Sequence, residues 1–331
     1  MKDFLPPSFG FGSAPLGELY NAVSEQVATD VLQTAWDRGV RYYDTAPWYG
    51  RGLSEQRVGR FLSQQPRNEF YVTTKVGRYL IDPKQDGATF KTDPWFGGLK
   101  QEVVFDYSYD GIMRSYEQSK KRLGLDQIDA LFIHDLDRGY HGVHWKHHQN
   151  DLTKTGFKAL EALKKAGDIK AYGMGINSHE AFEDAMRLFD LDLLLVAMPY
   201  TLLDQSSLMT TMQACVDTGT HVIIGSPFCS GILATGVKAH AKYNYAEADK
   251  AMIEKVDHIE RICKRYDVSL SAAALQFPMA HPAVVSIIPG ACRAKEIIQN
   301  TAAFKQAIPA SFWDALKAET LIDINAPVFI D

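Results

Sequence analysis

The chain has 331 residues, 46% of them hydrophobic, a formal net charge of -5 and four cysteines. That supplies one sizeable core, and a single domain over residues 1–331 is expected, because (β/α)8 barrels commonly reach this length. The charge leaves no basic field for nucleic acid or an anionic membrane, and no apolar run approaches the roughly 20 residues of a bilayer span. The opening MKDFLPPSFG lacks a signal-peptide pattern. Cys215, Cys229, Cys263 and Cys292 form no C-x-x-C. A cytoplasmic location, reduced thiols and no structural zinc are therefore expected.

In chain order, short apolar or β-branched runs predict strands at Phe9–Gly12, Val40–Asp44, Phe70–Lys75, Ile128–His134, Ile169–Met174, Leu193–Ala197, Val222–Gly225 and Val284–Ile288. Amphipathic stretches between them predict helices at Ser24–Arg38, Leu53–Leu62, Gly111–Leu123, Leu152–Lys165, His179–Leu188, Leu208–Val216 and Ala251–Tyr266. In the first, Ser24 can cap and Gly39 stops the helix. Strand–helix alternation implies parallel strands with crossovers, and eight of them fit a closed α/β (β/α)8 TIM barrel better than an open sheet. Two stretches exceed a minimal barrel. Tyr79–Tyr109 carries Phe90, Trp95, Phe96, Phe105 and Tyr107, and Asp135–Asp151 carries His141, His144, His147 and His148. Both follow strands, so both are expected as long loops on the C-terminal face, where barrel active sites assemble.

Asp44 and Tyr49 in YYDTAPWYG, Lys75 in YVTTKVG and His134 in LFIHDLD stand at or just past the ends of successive predicted strands. A barrel gathers them at one mouth. Taken singly, each has an ordinary reading as a cap, a packed ring or a snorkelling strand end. Together they make a proton relay: Lys75 favours the phenolate of Tyr49, Asp44 pairs with Lys75, and His134 orients a substrate oxygen. The histidine run HGVHWKHHQN places His144 and His148 four apart but without H-E-x-x-H. A solvated loop or pocket wall is the reading there, with no metal expected.

At these residues the chain resembles the aldo-keto reductase family, whose Asp–Tyr–Lys–His tetrad matches in identity and order. The resemblance runs from GFGSAPLG to IIPG and Asn300. Within the family it is similar to a subgroup of D-threo-aldose, L-fucose and pyridoxal dehydrogenases. The carrying segments are DTAPWYGRGLSEQRVGRFL, TKVGRYL, VFDYSYDGIMRS, RLGLDQIDALFIHDLD, GMGIN and PYTLLDQ. The resemblance implies that Tyr49 is the general acid/base, tuned by Asp44 and Lys75, with His134 positioning the carbonyl. It also implies a nicotinamide dinucleotide extended over the mouth, beside Gly12, Ser13 and Ala14, under Ser226, Pro227 and Phe228, and near Gly231 and Leu233. Where the family places Ser and Asn against the carboxamide, this chain has Gly175 and Ile176, leaving Asn177 as the candidate; the usual glutamine is also absent, with Ala197 three residues before Tyr200.

NADP-using relatives put cations where this chain has Gly290 and Glu296. A carboxylate repels a 2′-phosphate and accepts from a ribose 2′-OH, so NAD is expected over NADP, although Arg293 is near enough to pair with a phosphate. The implied substrate is a small molecule that closes to a hemiacetal, a free aldose or pyridoxal, with Trp48, Trp95, Phe96 and Tyr107 as candidate stacking rings. The competing readings are a general carbonyl reductase, a non-catalytic nicotinamide-binding subunit and a metal-dependent barrel hydrolase.

Overall fold

The computed structural model describes residues 5–83, 94–238, 240–244 and 246–330. Phe90 lies outside these residues. Eight parallel strands follow one another around a barrel: β1 Phe11–Gly12, β2 Tyr42–Asp44, β3 Tyr71–Val76, β4 Ala130–His134, β5 Ala171–Ile176, β6 Leu193–Val196, β7 His221–Gly225 and β8 Val284–Ile288. Parallel bridges from Phe9 to Ile287 and from Gly12 to Gly290 join the last strand to the first. The predicted strands and helices recur, with ends shifted by a few residues. Helix α1, Glu25–Asp37, starts where Ser24 Oγ accepts from Val27 N and ends just before Gly39 at φ +84°.

Side-chain alternation divides the core into two. Tyr42, Ala130, Phe132, Ala171, Leu193, Leu195, Ile223 and Ile288 fill the barrel interior, while the larger apolar cluster lies between strands and helices. The period of two then fixes what forms the uppermost interior layer. Asp44 stands two residues beyond Tyr42, Lys75 two beyond Thr73 and His134 two beyond Phe132, so all three project inward at the C-terminal end. By the same count Gly175, Ala197, Gly225, Gly290 and Gly12 complete that layer. One side of the mouth therefore carries long polar side chains, and the other carries almost none.

Two regions differ from the sequence reading. Arg78–Ile81 and Glu102–Phe105 pair as an antiparallel hairpin rather than an irregular loop. The histidine-rich stretch is helical, with Arg138–His141 and Trp145–Asp151 as short helices. Helices at Leu270–Gln276, Ala294–Phe304 and Ala310–Ala318 were not predicted. Among the described residues no helix is long and apolar enough to cross a membrane.

Candidate active site

A cleft of about 1760 Å³ opens over the C-terminal end of the barrel, and Asp44, Tyr49, Lys75 and His134 all line it. The four residues from separate strands and loops are thus brought together. Lys75 Nζ lies 2.6 Å from Asp44 Oδ2 and donates to Thr45 O at 2.9 Å; Thr73 Oγ1 donates to Asp44 Oδ1 at 2.8 Å. The ammonium sits 4.6 Å from the centre of the Tyr49 ring, and that ring meets His134 edge to face at 6.0 Å.

Burial alone would favour the neutral amine of Lys75, but Asp44 and then Tyr49 outweigh it and hold the group up at about 12. Burial raises the Tyr49 phenol, and the nearby Lys75 only partly opposes it. The phenol is therefore a proton donor at rest, and Lys75 limits a rise that would otherwise be larger. His134 is pushed well below its ordinary value by burial, then by the charges of Arg78 and Lys75, so it is neutral at physiological pH. Its Nδ1 has no partner among the described residues, whereas Nε2 faces Asp135 Oδ2 at 3.4 Å. A proton on Nδ1 would be a buried unsatisfied donor, so the tautomer with Nε2–H is favoured. His134 lines the cleft with this donor beside Asp135.

The loop bearing Tyr49 is fixed by backbones in close contact. A Cβ at Gly17 would fall 2.5 Å from Tyr49 C, and one at Gly98 would fall 2.4 Å from Gly50 O. Gly50 and Gly98 also need φ of +60° and +85°. Arg51 Nε adds a bond to Leu99 O at 2.7 Å. This stacking carries Trp95 to the cleft, 5.7 Å from Trp48 and 5.8 Å from Tyr49.

Of the expected cofactor residues, Gly12, Ala14, Asn177, Ser226, Pro227, Phe228, Gly231, Gly290, Glu296 and Asn300 line the cleft. Ser13 and Leu233 do not, and both are fully buried. Ser13 Oγ instead donates to Asp44 O at 2.8 Å and meets Ser54 Oγ at 2.8 Å, bracing the strand end from behind. Arg293 precedes its helix on the exposed side and is not among the lining residues. Glu296 Oε2 accepts from Cys292 N at 2.8 Å, and the Cys292 thiol is hydrogen-bonded to the same carboxylate.

Of the four candidate stacking rings, Trp48 and Trp95 line the cleft, while Phe96 is 65% exposed outside it. Tyr107 is buried beneath, where its hydroxyl donates to His134 O at 2.7 Å and meets His141 Nε2 at 3.0 Å. The ring is fully buried, and Gly77 (φ +92°) lies so close that a Cβ there would strike it at 2.4 Å. Its position makes it a support for β4. His141 is likewise buried, with Nε2 at 2.9 Å from Asp135 O, and His148 packs on it with ring centres 4.7 Å apart. Ligand atoms of His147, His148 and Asp151 come within 4.8 Å of one another, yet none of the three lines the cleft.

The sequence reading missed Arg78 and Asp135. Arg78, 1% exposed, pairs with Asp135, and Asn177 Nδ2 donates to Asp135 Oδ1 at 2.7 Å. The signal available was the polar run H-D directly after an apolar strand.

The closed parallel barrel, with a phenol, an ammonium, a carboxylate and a neutral imidazole at its mouth, defines a class: an enzyme equipped to exchange a proton with an oxygen on a reacting carbon. Comparison with known proteins makes this specific. Residues 8–319 match the Aldo/keto reductase family. The chain is 41% identical over 324 residues to pyridoxal 4-dehydrogenase of Microbacterium luteolum, covering 95% of this chain and 94% of that one. It is 39% identical over 322 residues to D-threo-aldose 1-dehydrogenase of a Pseudomonas species, covering 96% and 94%. The solved structure of aldo-keto reductase AKR11C1 from Bacillus halodurans, holo form, superposes with a TM-score of 0.75 over 99% of this chain and 96% of that one; at 21% identity it speaks for the fold alone. The chain belongs to the aldo-keto reductase family, and is an oxidoreductase acting on CH–OH or carbonyl groups.

Proposed function

We propose that this protein is a cytoplasmic, metal-independent, single-domain dehydrogenase that prefers NAD and oxidises a cyclic hemiacetal to its lactone. The substrate is a free aldose such as L-fucose or another D-threo-type sugar, or pyridoxal, with sugars placed slightly ahead. The observation that carries this reading is the complete tetrad on one cleft, with Lys75 Nζ 2.6 Å from Asp44 and 4.6 Å from the Tyr49 ring. The names of the two relatives support the substrate class.

The nearly bare side of the mouth suits a nicotinamide dinucleotide. A Cβ at Gly175 would come no closer than 3.7 Å to any neighbour, and one at Gly225 no closer than 3.5 Å. Packing therefore does not demand glycine at either place; what the missing side chains leave is cleft. The dinucleotide bound there supplies the hydride acceptor. Asn177 would meet the carboxamide, Ser226, Pro227, Phe228 and Gly231 would cover the pyrophosphate, and the Glu296 carboxylate would accept from a ribose hydroxyl.

The chain's own residues manage the proton. His134 Nε2–H and Tyr49 hold the hydroxyl oxygen of the hemiacetal carbon. Tyr49 first gives up its own proton to solvent; as the C–H bond then breaks, the ring oxygen stabilises the developing positive charge, and the hydroxyl proton passes to the phenolate. Lys75, kept charged by Asp44, stabilises the phenolate that receives it. Trp48 and Trp95 supply flat faces for a sugar or pyridine ring.

Product analysis after incubation with NAD and each candidate tests the reading. A lactone from an aldose or pyridoxal is expected. Rapid reduction of open-chain aldehydes with no lactone from either class would leave only the family assignment standing.

A further inference from the structure

We propose that Asp135 is a specificity-determining residue, accepting a hydrogen bond from a substrate hydroxyl that neighbours the reacting carbon. The inference rests on the dehydrogenase reading above and adds the group that selects the substrate.

Asp135 follows His134 at the end of β4 and lines the cleft. Its φ is +45°, a left-handed conformation that an aspartate tolerates at some cost. That turn brings its carboxylate round beside the catalytic imidazole, with Oδ2 3.4 Å from His134 Nε2. Two groups fix it there. Asn177 Nδ2 donates to Oδ1 at 2.7 Å, and Arg78 pairs with Oδ2. Each carboxylate oxygen has two acceptor sites, so capacity remains on the cleft side.

Arg78 shows that this is more than a brace. It is 1% exposed and boxed by Trp48, Phe105 and Tyr140, and its Nε and Nη1 have no partner among the described residues. Burying a guanidinium with two nitrogens unpaired opposes stability. Arg78 is not among the cleft-lining residues, so its charge reaches the cleft through Asp135.

The spacing fits a polyhydroxylated substrate. If the reacting oxygen is held by Tyr49 and His134, a hydroxyl on the adjacent carbon lies about 2.8 Å further on, close to a hydrogen-bond length. This resembles the 3.4 Å step from His134 Nε2 to Asp135 Oδ2. The ring hydroxyl of pyridoxal, one carbon more distant, offers a donor to this carboxylate in its un-ionised form, which a neighbouring negative charge favours. A carboxylate requires such a donor, and a site built around one rejects analogues that lack it.

The test compares kcat/KM for L-fucose with 2-deoxy-L-fucose, and for pyridoxal with its 3-O-methyl ether, in wild type and Asp135→Asn. Losing the 2-hydroxyl removes an electron-withdrawing oxygen and makes hydride departure easier, so slower turnover of the deoxy sugar reports lost recognition. Wild type should favour the hydroxylated member of whichever pair it oxidises by about 10- to 100-fold. Asp135→Asn should bring that ratio within about threefold, chiefly by losing rate on the hydroxylated member, while coenzyme binding followed by fluorescence persists. The wild-type comparison stands even if the variant fails to fold. Wild type turning over both members equally, or a variant that slows both by the same factor, overturns the assignment of Asp135. Wild type oxidising no hemiacetal would instead remove the dehydrogenase reading, and this inference with it.

Discussion

The two sides of the barrel mouth are built from the same strand geometry and differ in one respect. β2, β3 and β4 end inward on Asp44, Lys75 and His134, whereas β5 to β8 and β1 end on Gly175, Ala197, Gly225, Gly290 and Gly12, and all eight line one cleft. On the first side, charges are held by short bonds in a buried setting. On the second, backbone and small side chains form the wall. Long polar side chains and open space are thus allotted to different strands, so either can change without the other.

The largest expected effect breaks the polar side. Tyr49→Phe should cost about 100- to 10,000-fold in kcat while coenzyme affinity survives, because only the proton relay is lost; Lys75→Met should be similarly damaging. Near-normal kcat in Tyr49→Phe, measured by NADH absorbance, would remove the tetrad assignment. A smaller effect lies at the far end of the bare side. Glu296→Arg should shift the NADP-to-NAD ratio of kcat/KM upward by about 5- to 150-fold, the worth of one charge-assisted contact to a partly exposed phosphate. A wild type that already prefers NADP would refute the argument from Glu296.

The bare side itself is tested by filling it. Gly225→Val should raise the coenzyme Kd roughly tenfold and leave Tm nearly unchanged, since the added carbons enter cleft rather than core. A large fall in Tm with unchanged Kd would show that Gly225 serves packing.

The smallest effect is on stability in acid. Burial, then His148, depresses His141 to about 4, against about 6.5 in an unfolded chain. Between those values the unfolded state binds more protons, so stability is complete above about 6.5 and falls as pH drops towards 4. Comparing urea midpoints at pH 7 and pH 5, His141→Gln should lessen the loss by about 1–2 kcal/mol. An unchanged pH slope would acquit His141.

Strand periodicity made the polar side legible in advance, because Asp44, Lys75 and His134 each end an inward-facing series. What stayed hidden depended on geometry between segments. Arg78 belongs to a hairpin whose strands, RYLI and EVVF, are separated by twenty residues of mixed character. Its pairing with Asp135 appears only once the hairpin forms. Ser13 and Leu233 have neighbours that line the cleft, but a turn sets the direction of each side chain, and both turn away. Tyr107 failed as a stacking ring for a related reason. Gly77 admits it so closely that the ring is enclosed.

The stacked glycines beneath the phenol have a consequence for how the enzyme could change over time. Tyr49 is registered by Gly17, Gly50 and Gly98, main chain resting on main chain across three loops. Such contacts carry no side-chain volume, so repacking of the apolar layers has little leverage on the phenol oxygen. The surrounding walls of the cleft can change while the phenol stays where it is. The same arrangement makes these three positions intolerant: a single added methyl group would shift the phenol before it disturbed the barrel.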